Sequence, residues 1–176
     1  LILGAGALGS TILKIARQLC DHIIVADIVD DKPEEAKKNG AKYTVNVLKE
    51  DLEARVKEYT EGHGSTVSID ASGTKDSLLT LLKVTGNAGR VMTMGFSTAP
   101  VEANQFLITS KELDVRGSRL QNKMFGKAIE MINEGKLDLS GSISHTFPLT
   151  KAQEAFDFVD SRDPSIRKIV FTFDNL

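Results

Sequence analysis

The sequence of 176 residues lacks several features that would assign it to particular classes of protein. A single cysteine excludes a disulfide framework and any metal site built from several thiolates, and it favours a reducing, cytoplasmic location. With 22 basic and 24 acidic residues, the chain has a net charge of −2 and no basic footprint for nucleic acid. Because of this charge balance, we do not expect nucleic acid as a partner. No apolar run reaches the roughly 18 residues of a membrane-spanning helix, so we do not expect a membrane as a partner either.

The first two-thirds of the chain alternates short β-rich runs with apolar residues at helical spacing. We predict strands over residues 1–3, 22–27, 43–46, 66–70, 90–94 and 113–117. Strands that alternate with helices predict an α/β fold, in which right-handed crossovers place helices on both faces of a parallel sheet. The expected architecture is therefore a doubly wound, six-stranded parallel sheet.

The pattern changes after about residue 120. A helical stripe ends at Gly135, and residues 150–153 form a predicted capping box that opens another helix. Residues 169–173 predict a final strand with no evident partner in the alternating unit. The sequence thus predicts a domain over residues 1–119 and a helix–strand tail over residues 120–176.

A glycine-rich motif directly follows the first predicted strand. Gly4, Gly6 and Gly9 form the pattern GxGxxG where the strand gives way to a helix. In this pattern the first glycine permits a tight turn, the second lets the backbone approach a pyrophosphate, and the third allows close packing of helix and strand. The phosphates then lie at the helix N-terminus, where free N–H groups and the helix dipole favour an anion.

An acidic residue closes the second predicted strand. Asp27 lies near the roughly 20-residue distance expected of the acid that binds the adenosine ribose of a dinucleotide. Ile28 follows it, where an arginine would accept a 2′-phosphate, so the motif favours NAD over NADP. Two alternatives remain: a glycine turn that only packs, with Asp27 capping the next loop, and a loop that binds S-adenosylmethionine.

Several segments, in order, resemble the medium-chain zinc-dependent alcohol dehydrogenases, most of all the branch of sorbitol, threonine and sugar-acid dehydrogenases. Besides the glycine motif and Asp27, they are Asp-Ala-Ser-Gly at 70–73, Met-Gly-Phe at 94–96, Gly-Ser-Arg at 117–119, His-Thr-Phe-Pro-Leu at 145–149, Glu-Ala-Phe at 154–156 and Ile-Arg-Lys-Ile-Val-Phe at 166–171. The resemblance covers essentially the whole chain. It implies a Rossmann-type NAD-binding domain over 1–119 and a tail over 120–176 that would complete a catalytic domain whose N-terminal part this chain lacks.

The resemblance also implies a set of cofactor-binding residues. The set is Gly4, Gly6, Ala7, Leu8, Gly9, Asp27, Ile28, Lys32, Ala71, Ser72, Gly73, Met94, Gly95, Phe96, Ser118, Arg119, Arg167 and Lys168. Within it, residues 94–96 would line the nicotinamide pocket, and Ser118 with Arg119 would close over the cofactor. Either Arg167 or Lys168 would contact the pyrophosphate.

Some of these residues have a purely structural alternative. Lys32 is equally a candidate for a solvated lysine at a helix start. Met94 and Phe96 are candidates for the core, and Arg119 is a candidate for a surface ion pair.

The zinc ligands of the family belong to its N-terminal catalytic domain, and the present sequence offers no replacement for them. Cys20, His22, His63 and His145 do not have the spacing of a metal motif. We predict Cys20 to be a small packed side chain, His22 to begin a buried strand, and all three histidines to be structural or exposed. The sequence therefore predicts no catalytic residue and no metal ligand.

By resemblance, the chain is the NAD-binding portion of a zinc-dependent alcohol or polyol dehydrogenase. It would place NAD for hydride transfer from a secondary alcohol such as a polyol, a sugar acid or a hydroxy amino acid. The chain alone would bind NAD without turnover, and pairing of the sixth strand would make a homodimer or homotetramer. Three other functions remain open: a non-catalytic dinucleotide-sensing module, a zinc-free oxidoreductase similar to quinone reductases, and, as a distant third, a methyltransferase.

Overall fold

The computed structural model describes residues 1–96, 98–163 and 165–173, and the chain divides into two compact units, Leu1–Leu137 and Asp138–Leu176. The first unit contains the elements β1 (Ile2–Leu3), α1 (Ala7–Ala16), β2 (Ile24–Asp27), α2 (Asp31–Lys38), β3 (Tyr43–Asn46), α3 (Leu52–Tyr59), β4 (Ser65–Asp70), α4 (Ser77–Val84), β5 (Thr85–Thr93), α5 (Gln105–Ser110), β6 (Asp114–Gly117) and α6 (Phe125–Asn133). The boundary expected after residue 119 stays a prediction.

The six strands of the first unit form one parallel sheet, as the alternation predicted. The strand order is β3-β2-β1-β4-β5-β6, and every neighbouring pair is parallel. The order reverses between β1 and β4, where Leu3 lies opposite Asp70. In open parallel sheets, ligands bind in the crevice beyond the carboxyl ends of the strands at such a reversal.

Two buried clusters cover the two faces of this sheet. Successive side chains of a strand point to opposite faces, so Ile2 belongs to one cluster and Leu3 to the other. The cluster of Ile2 includes Leu13 of α1, whereas the cluster of Leu3 includes Leu81 of α4. Helices therefore cover both faces, and the prediction of a doubly wound sheet is confirmed.

Strand β5 is longer than predicted. It begins at Thr85, five residues before the predicted start, and its pairing with β4 shifts register between Ser65 and Val67. The early part contains Gly86, Gly89 and Ala88, the last with a φ of 53°. Glycine and alanine are both depleted in strands, so the sequence of this part of β5 does not predict a strand.

The second unit contains a strand that the sequence pattern did not predict. β7 (His145–Pro148) pairs in parallel with β8 (Ile169–Thr172), so the final strand has its partner in the second unit and, as expected, not in the six-stranded sheet. The predicted capping box is wrong. A 3₁₀ turn occupies Leu149–Lys151, α7 (Ala152–Asp160) follows it, and no side chain caps this helix. Pro148 ends the strand with a φ of −64°, which suits the start of the turn.

Cys20 is not the packed side chain that was predicted, and His22 does not begin a strand, although its exposure agrees with the prediction for the histidines. Cys20 is exposed because α1 ends at Ala16 and the chain then turns, with the N–H of Cys20 donating to the carbonyl of Ala16. His22 is exposed as well, because β2 begins only at Ile24. Among the described residues, no helix has the length and apolar character needed to cross a membrane.

Candidate functional site

The three glycines of the motif play different steric roles. A Cβ on Gly9 would overlap the carbonyl oxygen of Gly4 and lie 2.9 Å from its carbonyl carbon. Gly4 has a φ of +100°, and a Cβ there would lie 2.9 Å from the nitrogen of Ser72. No atom lies within 4 Å of a Cβ built on Gly6, which precedes α1 with no side-chain cap. Gly4 and Gly9 are thus required for packing, whereas Gly6 leaves an open surface at the start of a helix.

Asp27 connects this glycine loop to the end of β2. Its Oδ2 accepts a hydrogen bond from the N–H of Ala5 at 2.6 Å, and its Oδ1 accepts one from Val29 at 2.9 Å. The side chain is only half-buried. Each carboxylate oxygen can accept further hydrogen bonds, so Asp27 retains acceptor capacity for hydroxyl groups beside the glycine loop. The bond to Ala5 was not anticipated from the sequence.

A second turn lies against the glycine loop, at the carboxyl end of β4. Ser72 and Gly73 form this turn, and Gly73 has a φ of +65°. A Cβ on Gly73 would lie 3.3 Å from the Cα of Gly95, which follows β5. The structure therefore brings three predicted segments together: the glycine loop, the turn after β4 and the segment after β5.

Asp70 holds the turn after β4 and is not among the site residues predicted from the sequence. Its side chain is 4% exposed. Its Oδ1 accepts hydrogen bonds from the N–H groups of Ser72 at 3.0 Å and Gly73 at 2.9 Å, and its Oδ2 accepts one from the hydroxyl of Ser77 at 2.7 Å. An acid at the end of a buried strand, followed by Ala, Ser and Gly, was the available signal.

Phe96 and Arg119 lie in contact beyond the carboxyl ends of β5 and β6. The guanidinium carbon of Arg119 lies 4.2 Å from the centroid of the Phe96 ring, which is a cation–π distance. Phe96 is 73% exposed, so the structural alternative that placed it in the core is wrong. Nearby, the N–H of Ser118 donates to the carbonyl of Thr93 at 2.9 Å, and Met94 is half-buried.

Ala7 is the first residue of α1, and half-buried Ala71 donates its N–H to the carbonyl of Leu3 at 2.8 Å. The other predicted residues are distributed as follows. Leu8 and Ile28 are exposed beside the glycine loop and Asp27, and half-buried Lys32 lines a small pocket together with Gly9. Arg167 and Lys168 belong to the second unit, where the hydroxyl of Ser144 accepts the N–H of each. Their contact with a cofactor therefore stays a prediction.

A cavity of about 660 Å³ lies elsewhere, at the amino ends of β4 and β5, and no predicted site residue lines it. Lys111 contributes to its wall. The ammonium group of Lys111 donates to the carbonyls of Leu82, Lys83 and Thr85 at 3.0, 2.7 and 2.9 Å. Burial lowers the pKa of this lysine below its usual value. These bonds satisfy carbonyls at the end of α4, which gives Lys111 a structural role.

Metal-ligating side chains do not converge in the part of the chain that the structure describes. Over residues 1–96, 98–163 and 165–173, no group of three or more His, Cys, Asp or Glu side chains is arranged to hold a metal ion.

The parallel sheet, the glycine loop after its first strand and the acid after its second define an α/β protein of the dinucleotide-binding class. The family model described as "Zinc-binding dehydrogenase" matches residues 7–134. The chain belongs to this family, and the resemblance predicted from the sequence is confirmed.

Similar proteins are known from sequence and from structure. The chain is 31% identical over 175 residues to the starvation-sensing protein RspB of Escherichia coli K12, covering 98% of this chain and 51% of that protein. It is 31% identical over 168 residues to the erythritol/L-threitol dehydrogenase of Mycolicibacterium smegmatis, covering 94% and 46%. A crystal structure of a short chain alcohol dehydrogenase (rspB) from E. coli CFT073, complexed with cofactor NADH, matches with a TM-score of 0.90 and 30% identity, covering 98% and 51%. The chain thus spans about half the length of these relatives.

Proposed function

We propose that the chain is the NAD-binding part of a zinc-dependent dehydrogenase that oxidises a secondary alcohol, such as a polyol, a sugar acid or a hydroxy amino acid. The observation that carries this proposal is the open surface at Gly6, which follows Ala5, whose N–H donates to the half-buried carboxylate of Asp27. A pyrophosphate needs a backbone without a side chain, and a ribose needs a hydrogen-bond acceptor next to it. The crystal structure of the E. coli relative with NADH supports the same assignment.

Each predicted residue group has a distinct task in this proposal. The backbone at Gly6 and the first turn of α1 would bind the pyrophosphate, and Asp27 would accept hydrogen bonds from the adenosine ribose. Residues 94–96 would border the nicotinamide, while Arg119, held over Phe96, would cover the cofactor from the side of β6. When bound, NAD supplies the acceptor for a hydride from the alcohol carbon.

The residues that activate the alcohol would lie in another part of the whole enzyme. A catalytic zinc lowers the pKa of a bound oxygen and needs three protein ligands. The relatives are about twice as long as this chain, so we propose that these ligands lie outside residues 1–176. Residues 120–176 would then pack with that part, and the enzyme would work in the cytoplasm.

The first experiment is a titration of the purified chain with NADH and NADPH, followed by nicotinamide fluorescence, for which the absence of tryptophan gives a low background. We expect saturable binding of NADH, at least about tenfold tighter than of NADPH, because the carboxylate of Asp27 repels a 2′-phosphate. Asp27→Ala should weaken NADH binding by about 10- to 100-fold, the effect of losing charge-assisted hydrogen bonds. NAD, zinc and a secondary alcohol added together should give no turnover.

Asp21→Ala is the matched control, since Asp21 is an exposed acid before β2, at the opposite end of that strand from Asp27. It should leave NADH affinity unchanged. Tighter binding of NADPH would contradict the assignment to NAD and favour an oxidoreductase similar to quinone reductases. Binding of neither nucleotide would count against the proposal, and S-adenosylmethionine would be titrated next. Zinc-dependent turnover would contradict the proposed inactivity of the chain alone.

We further propose that the chain forms at least a dimer through β6. This strand lies at the edge of the sheet in the described part of the chain, and its Val115 is 37% exposed. Arg116 and Arg90 donate hydrogen bonds to Asp114 and hold the pKa of its carboxyl below its usual value, so the charges of β6 are paired at neutral pH. An unpaired strand edge invites pairing with another copy.

Light scattering should therefore give a multiple of the 19.1 kDa chain mass. Val115→Lys should shift the mass toward the monomer, because an inserted charge opposes pairing of edges. Val101→Lys, an equal change at an exposed valine outside the strands, should leave the mass unchanged. A monomer mass for the unaltered chain at every concentration would rule the proposal out.

A further inference from the structure

A buried carboxylate holds the turn after β4, which lies between the glycine loop and the segment after β5. Asp70 lies at the end of β4 with 4% of its surface exposed. One oxygen, Oδ1, accepts three hydrogen bonds: from the N–H of Ser72 at 3.0 Å, from the hydroxyl of Ser72 at 2.9 Å and from the N–H of Gly73 at 2.9 Å. The other oxygen, Oδ2, accepts from the hydroxyl of Ser77 at 2.7 Å. The four groups that donate to this carboxylate, two backbone N–H groups and two hydroxyl groups, are all uncharged.

The turn that Asp70 holds touches two other segments of the cleft. On one side, the nitrogen of Ser72 lies 2.9 Å from the position that a Cβ on Gly4 would take. On the other side, a Cβ on Gly95 would lie 2.9 Å from the Cα of Gly73 and 3.4 Å from Oδ2 of Asp70. A movement of Ser72 or Gly73 would therefore displace the segment after β5 or lose contact with it.

The glycine loop has anchors that do not involve Asp70. The N–H of Gly4 donates to the carbonyl of Ala26 at 2.7 Å, and the N–H of Ala5 donates to Asp27 at 2.6 Å. The N–H groups of Ser72 and Gly73, by contrast, are both held by Asp70. Removal of this carboxylate would thus release the turn after β4 and leave the glycine loop in place.

We infer that Asp70 is a positioning residue for the nicotinamide half of the cofactor: it fixes Ser72 and Gly73, and through them the segment that begins at Gly95. This inference rests on the proposed function, because the segment after β5 is the one assigned to the nicotinamide. A residue that served only the stability of β4 would affect both halves of the cofactor equally.

Asparagine can replace this carboxylate and keep the backbone hydrogen bonds of the turn, which provides a conservative variant. Its amide oxygen has two lone pairs and can accept from the N–H groups of Ser72 and Gly73, which now donate to Oδ1. Its NH₂ group can donate to the hydroxyl oxygen of Ser77, whose own proton then goes to the carbonyl of Thr74, at 2.8 Å. Asp70→Asn therefore preserves the geometry of the turn, whereas Asp70→Ala removes it.

The experiment compares Asp70→Ala, Asp70→Asn and the unaltered chain in two measurements. In the free protein, Asp70→Ala should accelerate hydrogen exchange of the Ser72 and Gly73 amides at least about tenfold and leave Gly4 and Ala5 unchanged. In ligand titrations, it should weaken NADH about tenfold or more but ADP-ribose, which lacks the nicotinamide, less than about twofold. Asp70→Asn should stay within about threefold of the unaltered chain for both ligands.

The matched control is Asp76→Ala. Asp76 is an exposed acid that precedes α4 and makes no side-chain capping bond, so its loss should change neither ligand. If Asp70→Ala does not fold, Asp70→Ser takes its place, since the shorter side chain cannot reach the donors of the turn together. Equal weakening of NADH and ADP-ribose, or no weakening of either, would overturn the inference. Failure of the unaltered chain to bind either ligand would instead overturn the proposed function, and the two failures are distinguishable.

Discussion

Replacement of Gly9 by alanine is expected to destabilise the first unit more than any other substitution at the site. The new Cβ would overlap the carbonyl oxygen of Gly4, so α1 would have to move away from β1. Forced overpacking costs typically about 1–3 kcal/mol, and we expect the upper end of that range or more because a backbone atom cannot rotate away. This corresponds to a fall in melting temperature of roughly 10 °C.

The stacked pair Tyr43–Tyr59 gives a direct measurement of this effect. The chain has two tyrosines, both in the first unit, and their ring centroids are 4.1 Å apart. Their near-ultraviolet circular dichroism therefore follows the unfolding of that unit. Gly126→Ala in α6 is the control, because no atom lies within 4 Å of its Cβ and alanine favours a helix by about 1 kcal/mol. Equal melting temperatures for Gly9→Ala and the unaltered chain would contradict the expectation.

Replacement of Gly6 by alanine should have the opposite pair of effects: an intact fold and a large loss of cofactor affinity. A Cβ at Gly6 meets no atom within 4 Å, and its φ of −67° is one that alanine adopts without strain. The methyl group would occupy the surface that the pyrophosphate must approach. We expect NADH binding to weaken about 100-fold, the equivalent of one or two charge-assisted hydrogen bonds to phosphate.

The same titration and the same tyrosine signal test this second expectation. The melting temperature of Gly6→Ala should match that of the unaltered chain, while the dissociation constant for NADH rises. Loss of stability together with affinity would show that Gly6, like Gly9, serves packing. Unchanged affinity would place the pyrophosphate elsewhere and would remove the main support for the proposed function.

The sequence was sufficient for the first unit because its signals are local. Buried parallel strands form short β-branched runs, and the glycine motif links a strand to a helix at fixed spacing. The sheet and its doubly wound arrangement could therefore be predicted. The start of β5 could not be predicted, since Gly86 and Gly89 interrupt the strand pattern. Strand β7 could not be predicted either, because its four residues, which include His145 and Pro148, show no apolar alternation.

Part of the candidate site depends on long-range packing and was missed for that reason. Asp70 belongs to a recognised segment, but only the fold shows that its carboxylate holds a turn placed between Gly4 and Gly95. The exposure of Cys20 likewise follows from where α1 ends, which is a boundary that apolar spacing defines poorly. Asp27 could be predicted as an acceptor because it ends a strand and lies at the expected distance from the glycine motif. Its hydrogen bond from Ala5 could not be predicted.

The contact between Gly9 and the carbonyl of Gly4 also limits how the sequence can change over generations. In most cores, an enlarged side chain can be offset by a smaller neighbour, so a damaging substitution has second-site suppressors. Here the obstructing atom belongs to the main chain, which every amino acid carries in the same form. No replacement of a neighbouring side chain can remove that atom, so a genetic screen starting from Gly9→Ala should return true revertants at that codon and few suppressors from facing positions.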